Sequence, residues 1–310
     1  MQDRGAKRSR YAAEDLMEDA AHRDNVVPNI NERPPDMGHY AADQRAAHQF
    51  LDNPKIFEDP LALRIIGAEA ESKLRLNLAQ SQNMLARHVR ALMVVRNRYA
   101  EDELARSIQR GVRQYVILGA GLDTFAYRNC FPLLRVFEVD HPVTQAWKRS
   151  CLEKAAIPIP ASLTFVSVDF ERQMMSDALR QSGFKSDELT FISWLGVIRY
   201  LSREAVISVL TSIFSSMRAG SEIVFDCGPP PSLLQRLREL PHQTIANWTF
   251  KNNGFRPNYF DPASLKCDLK RIGFADVQLF GSTEINVRYC NDRTDGLRVP
   301  ANFCLAKARV

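Results

Sequence analysis

The feature that most restricts the fold of this chain is the stretch Tyr115-Val-Ile-Leu-Gly-Ala-Gly-Leu-Asp-Thr-Phe-Ala-Tyr-Arg128. Its first four residues are apolar without polar alternation, the pattern of a central parallel strand covered on both faces. Gly119 and Gly121 interrupt the run, and a helix is expected to begin near Asp123. A buried strand that passes through a glycine turn into a helix opens a βαβ unit. The missing Cβ atoms at such a turn let the backbone approach a ligand.

The same alternation continues downstream. Strand-like runs fall at Gln114–Leu118, Leu134–Val139, Leu163–Val168, Leu189–Trp194 and Ser221–Asp226. Their starts lie about twenty to thirty residues apart, the length of a βαβ unit. Ser202 is placed to cap a helix whose apolar stripe is Val206, Val209, Leu210, Ile213 and Met217, ending near Gly220. A later helix is marked by Asp261 as N-cap, Pro262 at its first position and Gly273 as its stop. Two more strands are expected, at Phe274–Phe280 and at roughly 301–308. This order predicts an α/β fold over residues 111–310: a doubly wound, mostly parallel, Rossmann-like sheet that ends in an antiparallel hairpin.

Residues 39–110 read as a helical cap. Leu85, Val89, Leu92 and Met93 form one apolar stripe, with Arg87, Arg90 and Arg96 falling away from it. The charged stretch from Arg98 is expected to continue as a second helix to Ile108. Residues 1–38 are polar, carry Pro28, Pro34 and Pro35, and read as a flexible leader with some helical character at Tyr11–Ala21.

Composition narrows the functional classes. Of the 310 residues, 45% are hydrophobic and 25% charged, an ordinary globular balance. A net charge of +5 without a basic stripe disfavours a nucleic-acid partner. The apolar runs are too short to span a bilayer, and the polar N-terminus lacks a secretory pattern, so no membrane partner and a cytoplasmic location are expected. Cys130, Cys151, Cys227, Cys267, Cys290 and Cys304 are scattered, without C-x-x-C or a nearby zinc-spaced His. They read as reduced thiols, and no metal is expected.

A glycine pair alone does not name a ligand. A dinucleotide fingerprint would carry a third glycine where this chain has Thr124, and a pyrophosphate would meet the carboxylate of Asp123. S-adenosylmethionine has no phosphate, and its ammonium and sulfonium groups are cations that suit an acidic neighbour. Asp140 ends the second strand, where a carboxylate can accept both ribose hydroxyls. Glu138 shares its side of the strand, but Asp140 stands at the open end. An acid here speaks for a ribose and not for one particular cofactor. Asp169, after the third strand, reads either as a helix N-cap or, with Phe170, as an adenine contact.

These residues resemble a known family. Leu118-Gly-Ala-Gly-Leu-Asp-Thr-Phe-Ala-Tyr-Arg128, Phe137-Glu-Val-Asp-His-Pro142, Val168-Asp-Phe170 and Ile192-Ser-Trp-Leu-Gly-Val-Ile-Arg-Tyr-Leu201 are similar to the leucine carboxyl methyltransferase family. So is the tail Glu284-Ile-Asn-Val-Arg-Tyr289 with Arg293–Val299, in the bacterial branch that includes polyketide O-methyltransferases. The resemblance implies a class I methyltransferase domain with S-adenosylmethionine as cofactor. It places Gly119 and its neighbours Ala120, Gly121 and Asp123 at the methionyl part, Asp140 at the ribose, and Asp169 and Phe170 at the adenine, with His141 a further cofactor contact. It assigns the cofactor carboxylate to Arg98. A glutamate found after the fourth strand in eukaryotic members is missing, so Trp194 and Leu195 are expected to line the site in its place. The implied activity is O-methylation of a carboxylate or hydroxyl on a small-molecule acceptor of secondary-metabolite type. Substrate-side candidates are His141, Tyr200 and Tyr289 as bases or orienting groups, and Arg199 and Arg288 as clamps for an acidic acceptor. Two other readings are a non-catalytic S-adenosylmethionine-binding module and an NAD(P)-dependent oxidoreductase. The absent third glycine, Asp123 and the terminal hairpin argue against the latter.

Overall fold

The computed structural model describes residues 36–77, 81–169, 175–230 and 258–310. Nearly all of the leader, including Tyr11–Ala21, lies outside the described residues, as does Phe170. Among the described residues the chain opens with α1 (Asp36–Leu51), α2 (Ala62–Ile66), α3 (Ala68–Leu76) and α4 (Met84–Gln109). Then β1 (Gln114–Leu118), α5 (Phe125–Arg128), β2 (Arg135–Asp140), α6 (Pro142–Lys154), β3 (Leu163–Ser167) and α7 (Met175–Gln181) alternate. β4 (Thr190–Trp194), a 3₁₀ turn (Ile198–Tyr200), α8 (Arg203–Ser216) and β5 (Glu222–Cys227) follow. The chain ends with α9 (Pro262–Ile272), β6 (Ala275–Gly281), α10 (Ser282–Tyr289) and β7 (Cys304–Arg309).

The strands form a seven-stranded sheet in the order β3-β2-β1-β4-β5-β7-β6. The pairs among β1 to β5 are parallel, whereas β7 runs antiparallel to both β5 and β6. β1 alternates its side chains between two cores. Tyr115 and Ile117 join a cluster with α4, while Val116 and Leu118 join one beneath α8 and α9. The expected caps hold: Ser202 Oγ accepts from Ala205 N at 3.1 Å, and Asp261 Oδ2 from Ser264 N at 2.8 Å. The terminal antiparallel pair differs from a simple hairpin. α10 intervenes, its N-terminus closed by Glu284 on Gly281 N at 2.9 Å, and β7 enters the sheet between β5 and β6.

Within residues 39–110, α4 and the segment around Ile56 pack into the core that covers one face of the sheet. α4 is one helix of 26 residues, with no break at Arg98. The charged stretch stays helical because Arg98 pairs with Asp102 one turn on, and Arg106 with Glu103. Ala91, Val94, Val95, Tyr99 and Leu104 pack in one cluster with residues of β1, β4 and β5. At the far end of the helix, buried Glu222 of β5 takes Ser107 Oγ at 2.6 Å, Arg110, and Arg309 of β7 at 3.2 Å. Arg90 and Arg96, expected on the outer face, are buried. The segment around Ile56 and Phe57 packs into the same cluster as α4, so the helix is covered on more than one face.

Arg90 is compensated by Asp52, with Nε to Oδ2 at 2.6 Å and Nη2 to Oδ1 at 2.9 Å. His48 Nδ1 lies 2.7 Å from Asp52 Oδ2, while its Nε2 accepts from Ile56 N and Phe57 N at 3.0 and 3.3 Å. Those backbone donors fix the tautomer: the proton sits on Nδ1 and is donated to Asp52. Burial alone would raise the Asp52 carboxyl, but hydrogen bonds from His48 and Arg90 hold it below the usual carboxylate range. Its contribution to stability is therefore present above that range and is lost only as pH falls through the lowered value. Replacing Asp52 by Ala leaves a buried guanidinium unpaired and is expected to cost about 3–5 kcal/mol, read by urea denaturation at pH 7. A loss below about 1 kcal/mol would show the network to be dispensable.

Candidate active site

The strand order reverses between β1 and β4, and in doubly wound sheets ligands bind beside the carboxyl ends at such a switch point. Here Gly119 and Gly121 adopt φ of +65° and +44°. Gly119 N donates to Val139 O at 2.8 Å, tying the turn to β2. A Cβ at Gly119 would collide with Val197, because the loop after β4 is seated on the turn. Gly121 is open: the nearest heavy atom to a Cβ placed there is Gly38 Cα, 4.0 Å away. Ala120 is buried between them.

Asp140 organises this corner. Its Oδ2 accepts from Gly121 N and its Oδ1 from His141 N, both at 2.7 Å. Burial raises the Asp140 carboxyl above its ordinary value, and the two backbone donors partly oppose that shift. Asp123 closes the turn, accepting from Phe125 N at 2.8 Å and from Asn97 Nδ2 at 3.3 Å. Fully buried Asp59 links the turn to the N-terminal helices, taking Thr124 Oγ1 at 2.7 Å and Arg45 Nε at 3.3 Å. Arg45 Nη2 also reaches Leu122 O at 2.5 Å.

The other half of the site lies at the ends of β4 and β5. Asp226 Oδ1 accepts from Gly196 N, and Asp226 Oδ2 lies 3.6 Å from Arg96 Nη1. Gly196 has φ +72°, and a Cβ there would strike the Arg96 guanidinium. Arg96 is 8% exposed and, among the described residues, its Nε has no hydrogen-bond partner. Burial pulls its pKa below the ordinary arginine value, against the opposing pull of Asp226. A buried cation with one long ion pair and an idle donor marks a place for an anion.

The expected site residues divide accordingly. Gly119, Ala120, Gly121, Asp123, Asp140 and His141 converge at the switch point, with half-buried Asp169 just past β3. His141 is also the N-cap of α6, accepting from Val143 N at 3.3 Å. Arg98 faces elsewhere: it donates to Asp102 Oδ1 at 2.8 Å and Ile56 O at 3.3 Å. Two residues along a helix rotate a side chain by about 200°, so Arg96 and Arg98 cannot share a face. Trp194 is fully buried within the core, and half-buried Leu195 packs against the cluster that holds α4. Arg288 and Tyr289 serve the α10–α4 contact, Arg288 with Glu103 at 3.5 Å and Tyr289 Oη with Asp102 at 3.0 Å. Arg199 lines a pocket with Leu92, Val197, Asp226, Cys227, Phe260 and Phe303, and Tyr200 follows it on the 3₁₀ turn. Sequence reasoning missed Arg96, Asp226, Arg45 and Asp59. Asp226 carried a usable signal, since it ends the fifth apolar run as Asp140 ends the second.

A parallel sheet with a glycine-turn site at its switch point and an antiparallel seventh strand beside β5 is the class I methyltransferase fold. Two solved structures share it. One is a DUF574 family protein from Streptomyces avermitilis, with a TM-score of 0.54 at 13% identity, covering 87% of this chain and 97% of that one. The other, from Thermobifida fusca, is described as a "putative methyltransferase", with a TM-score of 0.52 at 16% identity, covering 87% and 93%. The sequence profile of the family "Leucine carboxyl methyltransferase" matches residues 39–214, and the chain belongs to that family. A relative from Bacillus subtilis, "Putative S-adenosyl-L-methionine-dependent methyltransferase YktD", is 36% identical over 204 residues, 59% of this chain and 67% of its own length. A protein of the same description from Mycobacteroides abscessus is 31% identical over 205 residues, 64% and 67% of the two chains. The protein is an S-adenosylmethionine-dependent methyltransferase.

Gly119→Ala tests the packing of the two loops. Forcing a side chain into positive φ costs about 1–3 kcal/mol, and Val197 must also move. The variant is expected to unfold at lower urea and to bind S-adenosylhomocysteine more weakly; unchanged values for both would refute the contact.

Proposed function

We propose that the protein methylates an oxygen, carboxylate or hydroxyl, on a small-molecule acceptor. The observation that carries the reading is Arg96, a buried guanidinium with, among the described residues, an idle Nε, lying against Gly196 next to the residue, Val197, that is seated on Gly119. Its charge fits the cofactor's carboxylate, Asp140 fits a ribose diol, and the open side of Gly121 leaves room for backbone approach. An acid at Asp169 suits the adenine amine. When bound, S-adenosylmethionine supplies a methyl group on a cationic sulfur, a good target for an oxygen nucleophile.

The chain's own contribution is mainly placement. Holding two reactants in near-attack geometry supplies roughly 7–11 kcal/mol of a barrier. Arg96 and Asp140 would fix the two ends of the cofactor, while the pocket beside Asp226 and Phe303 would orient the acceptor and exclude water. A carboxylate needs no general base; a hydroxyl benefits from one. Burial raises the Tyr200 phenol, so at neutral pH it stays protonated. The concave, partly apolar pocket supports a small acceptor.

Calorimetric titration with S-adenosylhomocysteine tests the arrangement. Wild type is expected to bind in the micromolar range, and Asp140→Ala to lose roughly 1.5–3 kcal/mol of binding. Arg96→Gln is expected to weaken binding comparably, whereas Arg98→Ala leaves it unchanged. Sensitivity at Arg98 with indifference at Arg96 would move the carboxylate site, and an absence of heat with wild type would sink the cofactor reading.

A further inference from the structure

We infer that Cys227 and Cys304 form an oxidation site, at which a hydroperoxide turns two thiols into a disulfide that staples β5 to β7. The inference rests on strand register and stands apart from the methyltransferase reading above.

Cys227 is the last residue of β5 and Cys304 the first of β7. The strands run antiparallel, and their register sets these two residues directly opposite each other. Opposed residues of an antiparallel pair have Cα atoms about 4.5–5.5 Å apart. That lies within the ~4.4–6.8 Å a disulfide spans. Opposed side chains share a face of the sheet, and both cysteines are buried in the cluster beneath α8 and α9. Both thiols are free, and their sulfur atoms lie within hydrogen-bonding reach of each other. The chains stay close past the pair, since a Cβ at Gly228 would strike the carbonyl oxygen of Asn302.

The two thiols are unequal. The contact with Cys304, together with burial, pushes the Cys227 thiol well above its ordinary value, and Asp226 and Asp261 act in the same direction. The hydrogen bond from Cys227 holds Cys304 below its ordinary value, helped by a backbone hydrogen bond from Phe280. Burial, Glu284 and Asp226 oppose ionisation of Cys304 without reversing that direction. Cys304 is therefore the thiolate of the pair, the form that attacks an oxidant. Cys227 lines the pocket next to Asp226, which gives a small peroxide a path to the pair.

The Cys304 sulfur attacks one oxygen of hydrogen peroxide, and the O–O bond breaks. Cys304 is left as a sulfenic acid, and hydroxide departs. The Cys227 sulfur then attacks the sulfenic sulfur, forms the S–S bond and displaces a second hydroxide. The two thiol protons end on the two hydroxides, so two cysteines are oxidised and one peroxide is reduced to two waters. The bond closes a loop over residues 228–303, which restricts the unfolded chain and fixes the pocket wall at Cys227.

The test uses the full-length chain with its exposed thiols removed by Cys130→Ser and Cys267→Ser, treated with hydrogen peroxide. Peptide mapping is expected to find Cys227 linked to Cys304, with both thiols recovered by dithiothreitol. The pair should be lost at least tenfold faster than Cys290, which is buried at the end of α10 and separates pairing from burial. The oxidised form should have a Tm several degrees above that of the reduced form. Adding Cys227→Ser should halt the reaction at a sulfenic acid on Cys304, captured by dimedone; the mapping itself needs no substitution within the pair. Survival of both thiols, loss no faster than that of Cys290, or linkage to a different cysteine overturns the inference. A Tm that fails to rise overturns the staple.

Discussion

The site is arranged around the need to keep a guanidinium charge in a nearly dry place. Arg96 arrives from α4, is met by Asp226 from β5, and is overlaid by Gly196 from the loop after β4. Removing a cation from water is expensive unless it is paired. Three elements distant in sequence are therefore held in one relation by one electrostatic requirement. Gly196 must lack a side chain so that the guanidinium can lie against it. Asp226 must stand at the end of its strand so that it reaches both the Gly196 amide and the arginine. Because the same loop carries Val197 onto Gly119, this requirement also sets the shape of the turn after β1.

Asp140 illustrates preorganisation at the facing corner. Both of its oxygens are fixed by backbone N–H groups, which orient the carboxylate before any ligand arrives. A carboxylate has about four acceptor positions, so two remain for hydroxyl donors. The rotamer entropy of ordering this side chain is spent on folding and does not fall on binding.

Much of this was legible in the sequence. The first strand matches its expected bounds, and the expected N-caps Ser202 and Asp261 do cap α8 and α9. These are local signals, set by pleat, helix period and turn chemistry. What the sequence hid depends on tertiary cover. The stripe Leu85, Val89, Leu92 and Met93 marks one face of α4, but it cannot reveal that Asp52 will meet a buried Arg90 and that Gly196 and Asp226 will enclose Arg96. Choosing between Arg96 and Arg98 needs the rotation of α4 against the sheet, which periodicity leaves free. Arg288 and Tyr289 looked like ligand groups by type, yet both are consumed by acids of α4 that lie far away in sequence. Trp194 shares a face of β4 with Ile192, so it fills the core cluster on that side of the sheet.

The continuity of α4 has a practical consequence for recombination. Its N-terminal half supplies Leu92 to the pocket proposed for the acceptor and Arg96 to the proposed cofactor site, while its C-terminal half is bolted to β5 and β7 through Glu222. A chimera joined at residue 110, where the sequence texture changes, would pair a foreign helix with a native sheet and mismatch every one of those contacts. A transplant aimed at acceptor choice has to treat α4 as part of the recipient, and exchange only the pocket wall contributed from residue 258 onward.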